Sequence, residues 1–161
     1  MHEASKLLAE ANKLLRTADH LTYVTYPLVK DNKLIMTITE NLAEATSKAM
    51  DAVIDYDAYF KRISHNPSDF QSKLDVFRTS CAPRYRINLN YLSLIKDLKN
   101  IQDARKTAKM EFLRKDNYIL TQENFAVKTL NYQKVKDYVN LSKRFFEQIN
   151  LIFKNVQTQR S

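Results

Sequence analysis

The 161-residue chain has no glycine and no tryptophan, one cysteine, three prolines and three histidines. Each shortage excludes something. Loops that cradle phosphate need glycine for positive φ and for close approach of the backbone. A P-loop and a dinucleotide-binding fingerprint are therefore excluded. A chain without glycine is also poorly suited to a fold of many tight hairpins. A single cysteine, Cys81, allows no internal disulfide and no thiolate zinc site. It is expected to be a small apolar core residue. The Glu-x-x-His motif of di-iron bundles is missing. Asp51, Asp55 and Asp57 then read as a solvated acidic face, and neither metal nor cofactor is expected. No apolar run approaches the ~18 residues of a membrane span. The first residues, "MHEASKLLAEANKLLR", are amphipathic and carry acids, unlike a secretory signal. The expectation is a cytoplasmic protein with no membrane partner.

What is present is helical periodicity. The length suits one domain, 1–161, able to bury about 70% of its unfolded surface. Over residues 3–25, Ala4, Leu7, Leu8, Ala11, Leu14, Leu15, Ala18 and Leu21 recur on one helical face, and Pro27 is expected to end the helix. Residues 31–64 carry the longest seam, Ile35, Ile38, Leu42, Ala45, Ala49, Ala52, Tyr56, Tyr59 and Ile63. This predicts a helix of about 50 Å with an alanine middle for close packing and an aromatic end. "HNPSDF" breaks the chain, with Asn66 as a plausible cap. A shorter helix follows over 67–81, with Phe70, Leu74 and Phe77 inward, and Pro83 closes it. Asn88 is a candidate cap for a helix over 89–113, striped by Tyr91, Leu94, Leu98, Ile101, Ala108 and Phe112. Residues 114–131 lose the period, and Tyr118, Leu120, Phe125 and Val127 alternate. An extended or hairpin-like excursion is predicted there. Asn131 can cap a last helix over 132–157, with Val135, Tyr138, Ser142, Phe145, Ile149, Ile152 and Val156 inward. The fold class is all-α, an antiparallel up-and-down bundle of about five helices.

Charge is unevenly placed. The net charge is +8, with −1 in residues 1–80 and +9 in 81–161. A basic half suggests RNA or an acidic protein as partner, and a solvated basic surface explains it equally well. Candidate nucleic-acid contacts are Arg105, Lys106, Lys109, Arg114, Lys115, Lys128, Lys134 and Lys136, with Tyr118 as a stacking platform. Arg105 falls within the apolar stripe of its helix. It is either a snorkelling side chain at the bundle rim or a functional cation. Tyr56, Tyr59 and Phe60 are the candidate self-association surface of a homodimer.

"KRISHNP" sets Arg62 three residues before His65, at the predicted C-terminal end of the long helix. A cation there is explained by the helix dipole, and catalysis would need a further partner that the sequence does not show. "KLLAEANKLLRTADHL" followed by "ENLAEATSKAMDAVIDY" resembles the HEPN-type helical bundles of archaea and bacteria, over roughly residues 3–60. The resemblance implies a helical bundle. Many members are RNases using an Arg and a His with four to six residues between them, late in the domain. Here Arg62–His65 and Arg16–His20 are more closely spaced, both are early, and no histidine follows residue 65. The family's nuclease activity is not implied. The expected function is a non-enzymatic binding module, self-associating or protein-interacting. The alternative is single-stranded RNA binding through the basic half, and a divergent HEPN-like RNase comes third.

Overall fold

The structure is a computed structural model that describes residues 2–123 and 126–159, with side chains through residue 155. The chain forms five helical rods and one small antiparallel sheet. The first rod is α1 (His2–His20), a π-helical turn (Leu21–Thr25) and α2 (Tyr26–Val29). The second is α3 (Lys33–Tyr59). The third is α4 (Phe70–Val76), a second π-helical turn (Phe77–Cys81) and α5 (Ala82–Tyr85). Then come α6 (Asn90–Thr107), strands β1 (Met110–Arg114), β2 (Asn117–Thr121) and β3 (Val127–Asn131), and α7 (Tyr132–Gln159).

The expected prolines are not helix ends. Pro27 and Pro83 each follow a π turn and are carried inside a continuous rod. Tyr26 N–H reaches back five residues to Leu21 O, and Ala82 N–H to Phe77 O. The wider turn opens the ladder where proline has no N–H to donate and its ring would meet the carbonyl four residues back. Both rods stop three residues after the proline, at Lys30 (φ 50°) and Arg86 (φ 55°). The left-handed conformation that glycine usually supplies at a helix end is here adopted by cations. Lys61 and Lys115 are the other two such residues.

The central element is α3, against which α1, α6 and α7 pack. Its buried stripe runs from Ile35 through Leu42, Ala45, Ala49 and Ala52 to Tyr56. Facing it, α1 buries Ala4, Leu8, Ala11, Leu15 and Ala18. Small residues every seven positions let the two backbones approach closely. Contacts run antiparallel between α1 and α7: Asn12 to Asn150, Asp19 to Lys143, Tyr23 to Asn140. At 27 residues α3 is about 40 Å long and ends before Ile63. The next rod starts at Asp69, not Asn66: its carboxylate accepts Ser72 N–H at 3.0 Å. Asn131 accepts from Lys134 N–H at 2.8 Å, as expected of a cap, whereas the cap position of α6 falls on Leu89 and Asn88, one residue earlier, accepts from Asn90 N–H at 2.8 Å.

The fourth rod is shorter than its stripe suggested. It stops at Thr107, and Phe112 lies on an exposed strand rather than in a helix seam. Instead of a short excursion over 114–131, residues 110–131 build a three-stranded sheet in the order β1-β2-β3. The fold is therefore mostly, not purely, α. Tyr118, Leu120 and Leu130 fasten one sheet face to the helices. Directly paired residues share a face, so Met110, Thr121 and Val127, then Phe112, Ile119 and Thr129, line the other. Phe125 and the side chain of Val156, singled out from the sequence, lie outside what the structure describes.

Candidate functional site

Several of the basic candidates are engaged within the fold, while Lys128 and Lys134 line one shared hollow. Arg105 lies between two carboxylates: Nη1 is 2.8 Å from Glu40 and Nε 3.2 Å from Glu111. Its hydrogen bonds to Glu111 and Glu40 hold its charge still more firmly than usual. It ties α6 to α3 and β1, a role that the rim and functional-cation readings did not include. Tyr118 is buried, and its hydroxyl donates to Glu111 at 2.7 Å. Arg105 and Tyr118 together hold the Glu111 carboxyl below its ordinary range. With the ring underneath the sheet, no face is presented for a base to stack on. Lys109 pairs with Glu123 at 3.1 Å. Lys106, Arg114, Lys115, Lys128 and Lys134 are exposed. Lys134 and Lys136 lie over the rings of Tyr138 and Tyr132. Tyr132 is itself stacked on Tyr26, with ring centres 4.1 Å apart.

The self-association candidates touch in series, with ring centres 4.9 Å apart for Tyr56 and Phe60 and 5.1 Å for Tyr59 and Phe60, but differ in exposure. Tyr56 is in the core against Phe153, while Tyr59 and Phe60 are exposed beside it.

The sheet carries a feature with no counterpart among those candidates. β1 is an edge strand, and all five of its residues are exposed. Met110 is 61% exposed, Phe112 38% and Leu113 41%. An unpaired strand edge with apolar side chains is a template for another strand. The sequence signal was there, in "MEFLR", but the helical stripe ending at Phe112 masked it.

The acidic face is corrected as well. Asp57 has no exposed surface, Asp51 is half-buried beside Lys73 at 3.2 Å, and only Asp55, held by Asn66, meets the expectation of a solvated acid. Asp57 sits near the end of α3, where it accepts from the Arg84 guanidinium and the Tyr85 hydroxyl. Arg62 Nη1 lies 3.7 Å away and donates to Tyr85 Oη at 3.0 Å. Arg84 also donates to the Arg62 carbonyl, at 3.3 Å. Burial, followed by the hydrogen bond to Asp57, pushes the Tyr85 hydroxyl upward. Burial and then the charge of Asp57 push the Cys81 thiol upward, so Cys81 is the inert core residue expected. Arg62 is thus in the loop after α3, an exposed residue whose guanidinium reaches the Asp57 cluster, while His65 is exposed and has no part in it. Arg62 also lies over the rings of Tyr56 (5.5 Å) and Phe60 (5.1 Å). Beside it opens a cavity of about 480 Å³ lined by Tyr56, Arg62, Tyr85, Gln148, Leu151, Ile152 and Asn155.

Among the described residues no cluster of His, Cys, Asp and Glu is arranged to hold a metal, and no helix is long and apolar enough to cross a membrane. Comparison with protein-family models, with curated proteins and with solved structures gives no match for this chain.

Proposed function

We propose that the chain is a non-enzymatic binding module that associates with a second copy of itself through the edge of β1. The observation that carries this reading is the exposed edge strand with Met110, Phe112 and Leu113 uncovered. Native sheets blunt such edges with bulges, prolines or a covering element, and β1 pairs residue for residue with β2, without a bulge. A two-fold axis normal to the sheet pairs β1 with its own copy, antiparallel, and keeps each face on its side. Charge selects the register. Centring on Phe112 would set Lys109 against Lys115 of the other copy. Centring on Leu113 sets Glu111 against Lys115 and Phe112 against Arg114, and opposes the two Leu113 side chains.

The test is a Leu113→Cys variant under mild oxidation. Directly opposed side chains lie within about 5.5 Å at Cβ, close to disulfide reach, and Cys81 is buried and does not compete. A covalent dimer should form with Leu113→Cys and not with Val127→Cys on the far strand. Equal cross-linking of the two variants would refute the interface.

A second reading, RNA binding, keeps one observation in its favour: Lys106, Arg114, Lys115, Lys128 and Lys134 are exposed. It loses Arg105 and Lys109 to ion pairs and Tyr118 to burial. On this reading binding is electrostatic and without a stacking platform, so it should weaken steeply with salt.

A further inference from the structure

We infer that the cavity between Arg62 and α7 binds a peptide-like carboxylate, that is, a carboxylate group next to an amide N–H and an apolar side chain. Three features of the wall each ask for one of these groups.

Arg62 asks for the carboxylate. Asp57 is shared by two guanidinium groups, Arg84 and Arg62, so the cluster holds one more positive charge than negative. Only Nη1 of Arg62 is used, on Tyr85. Among the described residues its Nε and Nη2 make no hydrogen bond. That side of the guanidinium is a planar two-donor fork, which matches a carboxylate. The guanidinium lies over the rings of Tyr56 and Phe60, which hold it at the cavity wall.

Gln148 asks for the N–H. Its Oε1 is buried and, among the described residues, has no hydrogen-bond partner. A buried acceptor left unpaired is costly and calls for a donor. Gln148 lines this same cavity. Leu151 and Ile152, on the next turn of α7, supply the apolar wall. The volume, about 480 Å³, falls within the range of small-ligand pockets.

The probe is N-acetyl-leucyl-leucine with a free carboxylate, titrated calorimetrically into the full chain, alongside the same compound as its carboxamide. The acid should bind saturably with Kd below about 1 mM, and the carboxamide should bind at least about tenfold more weakly. Arg62→Lys keeps the charge and removes the fork, and should lose about tenfold for the acid. Gln148→Leu removes the unpaired acceptor without disturbing the Asp57 cluster. It should weaken acid and carboxamide alike, and it decides the matter if Arg62→Lys fails to fold. No saturation with the acid, equal binding of acid and carboxamide, or unchanged binding by Gln148→Leu would overturn the inference.

Discussion

Asp57 shows how a single residue can carry a local structure. Its carboxylate is wholly enclosed, and three side chains from two segments converge on it. Breaking a fully buried ion pair costs about 3–5 kcal/mol, but Arg84 and Arg62 are 33% and 39% exposed and keep part of their hydration, so about 2–3 kcal/mol is expected here. Asp57→Ala should therefore lower the urea midpoint by that scale, and Asp57→Asn, which keeps size and some hydrogen bonding, by less. A loss under about 1 kcal/mol for Asp57→Ala would mean the cluster is not structural. Asp51 is the opposite case. Its Oδ1 is buried without a partner among the described residues. Burial raises its pKa, against the pull of Lys73. A carboxyl whose folded pKa lies above its unfolded value binds its proton more tightly when folded. Its ionised form costs stability at neutral pH, and the cost disappears as pH falls through the folded pKa. Asp51→Asn should thus stabilise at about pH 7 and gain progressively less towards about pH 4. Urea unfolding at the two pH values checks this, and a larger gain at the lower pH would contradict it. Neither role was legible in sequence. Three aspartates at helical spacing look alike until the rods either side of them are placed.

At the scale of elements, the chain lacks glycine and still needs left-handed residues at three rod ends and one hairpin. Lys30, Lys61, Arg86 and Lys115 occupy them. A side chain bearing Cβ costs about 1 kcal/mol or more in this conformation. At the three rod ends, a cation beside the helix C-terminus offsets part of that. Substituting glycine at Lys30 or Arg86 should stabilise by a few tenths to about 1 kcal/mol. That amounts to a melting-temperature rise of up to about 4 °C for a chain of this size. A fall in melting temperature would show that the charge outweighs the backbone strain. Here the boundary between what sequence reveals and what it hides is physical. The α1 and α3 stripes are legible because each is a local period, and the Asn131 cap because it acts over three residues. The continuation through Pro27 and Pro83 is hidden, because proline normally breaks the ladder and only a preceding π turn saves it. The end of α6 is hidden because Ala108 and Phe112 fit a helical stripe, while pairing with β2 decides against it. Arg105 was legible as unusual, but its two carboxylates, on α3 and β1, come together only in the fold.

The whole molecule has one continuous core, from Ala4 on α1 to Phe153 on α7, that also includes Tyr118, Leu120 and Leu130 of the sheet. Sheet and helices should consequently unfold together. Far-ultraviolet circular dichroism and tyrosine fluorescence are expected to report coincident transitions, and an early separate loss of the sheet would contradict a shared core. The basic surplus of residues 81–161 belongs to the sheet, α6 and α7, and part of it is taken up by ion pairs of Arg105 and Lys109, so charge alone does not mark a partner. The edge of β1 is uncovered, and the central claim is that a second copy covers it. Sedimentation equilibrium of the intact chain from about 1 to 100 µM tests this most directly. The mean mass is expected to rise with concentration from the 18.9 kDa monomer towards twice that value. A Phe112→Lys, Leu113→Lys double variant should stay monomeric throughout with unchanged helix content. A wild-type mass that remains at the monomer across the whole range, or a double variant that associates like the wild type, would contradict it.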